Sequence, residues 1–187
     1  IGGHVMKGVI FSEFLEMVEE EFSLKIADRI IEASNLESGG AYTSVGTYDK
    51  DEIIRLVTQL SQETGVEVPA LLCSFGRHLF GRFHENYHHF FDGVETAFQF
   101  LQNIEGYIHV EVLKLYPDAE LPAFDYESSD PNELVMIYHS ARPFADLAEG
   151  LIAGCADHFG ETLDIKREDR SHDNETCVRF VLTKRGG

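Results

Sequence analysis

The chain is poor in cysteine, with only three in 187 residues, Cys73, Cys155 and Cys177. An odd, sparse set argues against a disulfide framework and predicts a reducing, cytoplasmic environment. The sequence also lacks an apolar run near the roughly 20 residues needed to cross a bilayer, and no signal-peptide pattern precedes Met6. We therefore expect no association with a membrane.

Basic residues are scarce as well. Lys and Arg total 15 against 33 Asp and Glu, which gives a net charge of −18. Such a field repels duplex DNA, so a nucleic acid is not an expected partner. No repeat, low-complexity tract or Pro/Gly-rich linker divides the chain, and 43% of its residues are hydrophobic. These features predict a folded globular protein.

The expected domain spans residues 6–183. The first five residues, IGGHV, resemble an expression remnant, and Met6 is the expected natural start. The chain ends soon after its last predicted strand, so no attached output domain is expected.

Helical spacing of apolar residues dominates the part of the domain up to about residue 116. It predicts helices over 9–21, 25–34, 49–62 and 69–83. Asp49 is a candidate N-cap, with Glu52 completing a capping box. The longest predicted helix covers 94–116 and ends before a proline. Its apolar stripe consists of Phe98, Leu101, Ile108, Val112 and Leu115, and His109 lies beside it.

The sheet-containing part, about 117–183, has a different period. Residues 133–140, 162–168 and 176–183 are rich in β-formers or alternate as strands do. A helix opened by Pro143 is predicted over 143–160. The fold class is therefore α+β, with an N-terminal helical lobe followed by a C-terminal lobe that holds a small antiparallel sheet and helices.

The stretch HENYH, residues 84–88, matches the H-E-x-x-H pattern of zinc peptidases. A zinc hydrolase would use His84 and His88 as ligands and Glu85 as general base, with a third ligand from elsewhere. Asn86 is a weak helix former, and no third histidine follows at a suitable spacing. We favour a surface helix end and keep the hydrolase as an alternative.

A second candidate zinc site combines Cys155, His158, His172 and Cys177. Thiolates and imidazoles suit zinc. However, the first two lie on a predicted helix and Cys177 begins a strand, and a buried cysteine often serves as a small hydrophobe. The sequence leaves this site open.

His109 offers a different chemistry. A neutral imidazole on a rigid helix in apolar surroundings suits the axial position of a heme iron; the alternative is a core histidine. Tyr138, Ser140 and Arg142 alternate along a predicted strand and therefore share one face. Two hydroxyls and a guanidinium can bind carboxylates such as heme propionates; the alternative is a solvated strand face with an Arg–Glu pair.

Together these residues resemble the H-NOX family of heme nitric oxide/oxygen-binding domains, which is related to the heme domain of soluble guanylate cyclase. The resemblance rests on the Tyr-x-Ser-x-Arg motif following a helix that bears HVEVLKLYP, on MKGVI at 6–10 and on FGR at 75–77. It covers residues 6–183. It implies heme b (protoporphyrin IX iron), held between the two lobes.

The resemblance also implies roles for individual residues. His109 is the axial iron ligand, Tyr138, Ser140 and Arg142 hold the propionates, and Pro122 presses on the porphyrin. The residues expected to line the distal side are Ile10, Phe14, Leu79, Phe83, Leu147 and Leu151. Members that hold O2 carry a tyrosine at the position of Leu147, so we expect this chain to bind NO and CO and to exclude O2.

The function implied by the resemblance is gas sensing rather than catalysis. NO bound to ferrous iron weakens the bond to His109 and frees its helix. The expected output is a separate partner, either a sensor histidine kinase or a cyclic-di-GMP-metabolising enzyme, and the sensor is expected to be a monomer. A heme carrier without signalling remains an alternative.

Overall fold

The computed structural model describes residues 5–173 and 175–185. Most of the expected N-terminal remnant, residues 1–4, lies outside the described residues. Val5, which belongs to that expected remnant, pairs with Asp49 in a short antiparallel ladder. The structure is an α+β fold, as the sequence predicts.

The N-terminal part is helical with a small two-stranded sheet. Its elements are β1 (Val5–Lys7), α1 (Gly8–Glu21), α2 (Leu24–Ser34), β2 (Thr47–Asp49) and α3 (Lys50–Thr64). The cap of α3 is confirmed, because Asp49 Oδ1 accepts a hydrogen bond of 2.8 Å from Asp51 N. The capping box is wrong: the Glu52 carboxylate turns away to accept bonds from Ser38 and Tyr42.

The middle of the chain carries α4 (Val68–Asn86), a 3₁₀ turn (His88–Phe91), α5 (Ala97–Gln102) and α6 (His109–Leu115). The predicted continuous helix over 94–116 is wrong, because a π-helical turn, Ile104–Ile108, separates α5 from α6. Ile108 N bonds to Asn103 O at 3.0 Å, and His109 N bonds to Ile104 O. One residue is therefore accommodated beyond α-helical spacing, immediately before His109.

The C-terminal part is built on a four-stranded antiparallel sheet of order β3-β4-β6-β5. Its strands are β3 (Ala123–Ser129), β4 (Glu133–Ser140), β5 (Leu163–Asp169) and β6 (Thr176–Lys184). Three of them match predicted strands, whereas β3 is absent from the sequence-based prediction. Helix α7 (Ala145–His158) lies between β4 and β5 in the chain and begins two residues after Pro143.

Two apolar clusters form the interior. One is N-terminal and includes Phe11 and Phe75; the other lies against the sheet and includes Phe100 and Phe180. Helices α4 and α7 contribute side chains to both clusters. These two helices therefore bridge the halves of the molecule and define the space between them.

Candidate heme site

A cavity of about 350 Å³ lies between the two apolar clusters. It is walled by α1, α4, α7, α6, the segment before β3, and the end of β4. Ten of the eleven residues predicted to contact heme line it: Ile10, Leu79, Phe83, His109, Pro122, Tyr138, Ser140, Arg142, Leu147 and Leu151. The volume is within the range of small-molecule and cofactor sites.

His109 forms part of one wall, and its side chain is only 16% exposed. Its Nδ1 lies 3.1 Å from Glu105 Oε1 and is hydrogen-bonded to it. Burial lowers the pKa of His109, although the Glu105 carboxylate acts in the opposite direction. A neutral ring that donates Nδ1–H keeps its lone pair on Nε2, which is the form a metal requires.

The Tyr-x-Ser-x-Arg motif lies at the cavity edge. Tyr138 and Ser140 share one face of β4, whereas His139 points the other way and lies 3.3 Å from Asp125 and 3.4 Å from Glu175. Just beyond the strand, Arg142 N donates to Ser140 Oγ at 3.0 Å. Strand alternation thus places Tyr138 and Ser140 on one face, and the backbone bond to Ser140 holds Arg142 beside them.

The Arg142 guanidinium is a buried cation, with a side chain that is 11% exposed. It donates to the backbone oxygen of Glu120 and lies 3.6 Å from the Glu120 carboxylate. Burial lowers the pKa of Arg142 and raises that of Tyr138. Near neutral pH the pair presents a positive charge and a neutral hydroxyl, a donor set that fits carboxylates.

Much of the remaining lining is apolar. Ile10 from α1, Leu79 and Phe83 from α4, and Leu147 and Leu151 from α7 line it. None of these five side chains carries a hydrogen-bond donor.

Phe14, the eleventh predicted contact, does not line the cavity. It is fully buried in the N-terminal cluster, where its ring packs edge-on against Phe75 at 5.2 Å between centroids. Phe14 lies about one helical turn after Ile10 on α1, and its side chain points into that cluster instead of the cavity. The structure therefore places Phe14 in the N-terminal cluster and not in the lining of the cavity.

The end of α4 adds polar side chains that sequence reasoning missed. Arg82, Asn86 and Tyr87 line the cavity there. Arg82 is neutralised by Glu13 at 3.1 Å. Burial, followed by a hydrogen bond with Tyr116, raises the pKa of Tyr87 to about 12, so its hydroxyl stays protonated.

A second missed contact joins the lobes. Lys7 of β1 is 9% exposed, and its Nζ binds Asp118 at 3.0 Å and Val45 O at 2.7 Å. Lys7 and Asp118 are 111 positions apart, and no spacing pattern connects them.

The alternative zinc sites do not assemble. Helix α4 ends at Asn86, so His84 and His88 do not share one helix. Cys155 is buried on α7 with its Sγ 3.8 Å from Ala97 O, and Cys177 lies in β6. Across residues 5–173 and 175–185, no three His, Cys, Asp or Glu side chains are grouped so as to hold a metal ion.

The donor set of the cavity fits heme. It combines a neutral imidazole, a set of apolar side chains, and a buried cation beside two hydroxyls. A flat apolar ring with an axial metal position and two carboxylates matches each of these features.

Comparison with known proteins agrees with this geometry. The family model of haem-NO-binding domains matches residues 7–167. The chain belongs to the H-NOX family. H-NOX domains are heme-based gas sensors, and this one has their α+β fold. Among the described residues, no helix is long and apolar enough to span a bilayer.

Solved H-NOX structures are similar along almost the whole chain. The Fe(II) unliganded H-NOX protein from K. algicida is 40% identical, with 97% of this chain and 98% of that chain covered and a TM-score of 0.91. The H-NOX from Shewanella woodyi, bound to IWP-051 in the Fe(II)CO state, is 40% identical over 96% of this chain and 95% of that one, with a TM-score of 0.81. A comparison with curated proteins gives no match.

Proposed function

We propose that residues 6–183 form a single heme b domain that senses NO. The observation that carries the proposal is that His109 and the Tyr138–Arg142 motif, from separate elements, face one largely apolar cavity. When bound, heme would supply a ferrous iron that can take a diatomic gas as a ligand. The chain supplies the ligand, the orientation and the selectivity.

His109 Nε2 would hold the iron of a bound heme. Arg142, Tyr138 and Ser140 would bind the propionates and so orient the ring. Pro122, which also lines the cavity, would contact the ring. The Glu120 carboxylate, 3.6 Å from the Arg142 guanidinium, helps to hold this buried cation in place, and the remaining N–H groups of its fork can donate to the propionates.

Selectivity comes from the apolar wall. O2 bound to iron draws negative charge and needs a nearby hydrogen-bond donor, whereas NO and CO bind without one. Ile10, Leu79, Phe83, Leu147 and Leu151 provide no donor. The Tyr87 hydroxyl, which also lines the cavity, is hydrogen-bonded with Tyr116. The protein accordingly binds NO and CO and excludes O2.

The signal would be the loss of the His109 contact to the heme iron on binding of NO. Helix α6, which carries His109, would then be free to move, and a separate partner would respond, either a sensor histidine kinase or a cyclic-di-GMP-metabolising enzyme. The net charge of −18 suits a basic partner surface. In this proposal the protein is a cytoplasmic monomer with no catalytic activity of its own.

The test is an absorbance spectrum of the reduced protein under argon, air, CO and NO. We expect a Soret band that shifts when CO or NO is added. In air, we expect no band of a stable oxygen complex. His109→Ala should abolish normal ligation, whereas His139→Ala, on the outer face of β4, should not. A colourless protein that cannot be reconstituted, or an unchanged spectrum in His109→Ala, contradicts the proposal. A heme carrier would share the spectrum but show no NO-dependent effect on a partner kinase.

A further inference from the structure

Glu105 makes two contacts through one oxygen. Its Oε1 lies 3.1 Å from His109 Nδ1 and accepts a hydrogen bond of 2.8 Å from Phe124 N. The first contact reaches the residue that faces the cavity, and the second reaches the start of β3. A single carboxylate therefore connects α6 to the sheet.

The backbone that carries Glu105 is distinctive. Glu105 lies in the π-helical turn, whose last residue, Ile108, directly precedes His109. The backbone oxygen of Asn103 accepts bonds from both Tyr107 N and Ile108 N, each at 3.0 Å. Single π turns inside helices are frequent at functional sites. The turn fixes Glu105 and His109 relative to each other on one short segment.

The chemistry of this contact is that of an outer-shell ligand partner. A histidine that donates its second N–H to a carboxylate is held in one tautomer and one orientation, and its metal-binding nitrogen becomes more basic. The Glu105 side chain is 40% exposed, so solvent weakens the effect of its charge on His109 but does not abolish it. The Phe124 amide holds the carboxylate in place.

We propose that Glu105 is a positioning residue that strengthens the bond between His109 and iron, and thereby sets how readily NO displaces His109. This inference rests on the proposed function. The same carboxylate keeps His109 tied to β3 after release, so that movement of α6 is passed to the sheet.

The decisive variant is Glu105→Gln, which keeps the shape and a neutral acceptor for Phe124 N but removes the charge. The matched control is Glu111→Gln, because Glu111 lies on the same helix as His109, pairs with Lys114 and does not line the cavity. The first readout is the iron–histidine stretching frequency of the ferrous protein by resonance Raman spectroscopy. We expect a downward shift in Glu105→Gln and none in Glu111→Gln.

The second readout is the rate of His109 release after rapid mixing with NO. We expect it to rise roughly 10-fold to 100-fold in Glu105→Gln, the range typical for lost outer-shell partners. Glu105→Asp keeps the charge but shortens the side chain, so its release rate should lie between those of the wild type and Glu105→Gln. It replaces Glu105→Gln in the test if that variant loads heme poorly. Frequencies and rates equal to those of the wild type in both Glu105 variants would overturn the inference. A wild-type protein with no iron–histidine stretch would instead overturn the proposed function.

Discussion

Gly150 of α7 lies directly against the backbone of Cys73 in α4, so closely that a Cβ on Gly150 would be 2.1 Å from Cys73 O. Gly76 makes the reciprocal approach, since a Cβ there would be 2.4 Å from Leu147 O. The two helices therefore touch backbone to backbone. Their close approach sets the spacing of the side chains that line the apolar wall of the cavity.

Gly150→Ala should lower the free energy of unfolding by about 1–3 kcal/mol, because the added methyl group has no space. Urea unfolding of the heme-loaded protein measures this loss. Gly81→Ala is the control: it lies in α4 with no atom near a new Cβ, and should stabilise the protein by about 0.5–1 kcal/mol. Equal effects of the two substitutions would contradict the account of the helix crossing.

Leu147→Tyr should convert the pocket into one that holds O2. Leu147 faces the cavity from α7, and a tyrosine hydroxyl there would supply the donor that the apolar wall lacks. The measurement is the absorbance spectrum of the reduced protein in air. Leu147→Phe, of similar size and without a hydroxyl, should remain unable to hold O2; an oxygen complex in both variants would show that size rather than hydrogen bonding decides selectivity.

Arg142→Met should accelerate loss of heme. A hydrogen bond to a charged group contributes about 1.5–3 kcal/mol, which corresponds to roughly 10-fold to 150-fold in rate if the loss falls on dissociation. Transfer of heme to an excess of a heme-scavenging apoprotein gives the rate. Arg179→Met is the control, since Arg179 of β6 pairs with Glu127 at 2.6 Å and does not line the cavity. Loss at the wild-type rate in Arg142→Met would argue against a propionate contact.

Glu52 should govern acid stability of the N-terminal half. Burial alone would raise the pKa of this carboxyl, but hydrogen bonds from Ser38 and Tyr42 outweigh burial and lower it below 4.5. A lowered pKa means that the stabilisation is present above about pH 4.5 and is lost as the pH falls through the folded-state value. Glu52→Gln should cost roughly 1.5–3 kcal/mol at neutral pH and flatten this acid dependence.

Urea unfolding between about pH 3 and pH 7 provides the measurement for Glu52→Gln. Glu63→Gln removes a carboxylate that is 36% exposed and bound to Arg29 on the surface, so it should change stability little. A steep acid loss that persists in Glu52→Gln would place the responsible carboxyl elsewhere.

Local pattern predicted much of the molecule. The period-2 alternation of β4 placed Tyr138 and Ser140 on one face, and helical spacing found α1 to α4 and α7 to within a few residues. The break at the π turn was not predictable in this way, because Phe98, Leu101 and Ile108 are all buried in a spacing that also suits a continuous helix. The predicted apolar stripe also does not stay buried to its end, because Leu115 is 51% exposed.

The features that could not be predicted from the sequence depend on contacts between residues that are far apart in the chain. Phe14 packs against Phe75 in the N-terminal cluster, and Lys7 binds Asp118, which is far from it in the sequence. The link from Glu105 to Phe124 likewise needs β3, for which the alternating Phe124 and Tyr126 are the one local signal. Such pairs follow from how elements pack, and packing is not encoded in local periodicity.

The two apolar clusters meet across a hollow that α4 and α7 span. A group that fills this hollow completes the interior of the protein, and any ligand that binds only the folded state shifts the folding equilibrium by mass action. Cellular abundance of the protein should therefore follow the supply of that group, because chains left unfilled are more open to proteolysis and are removed sooner.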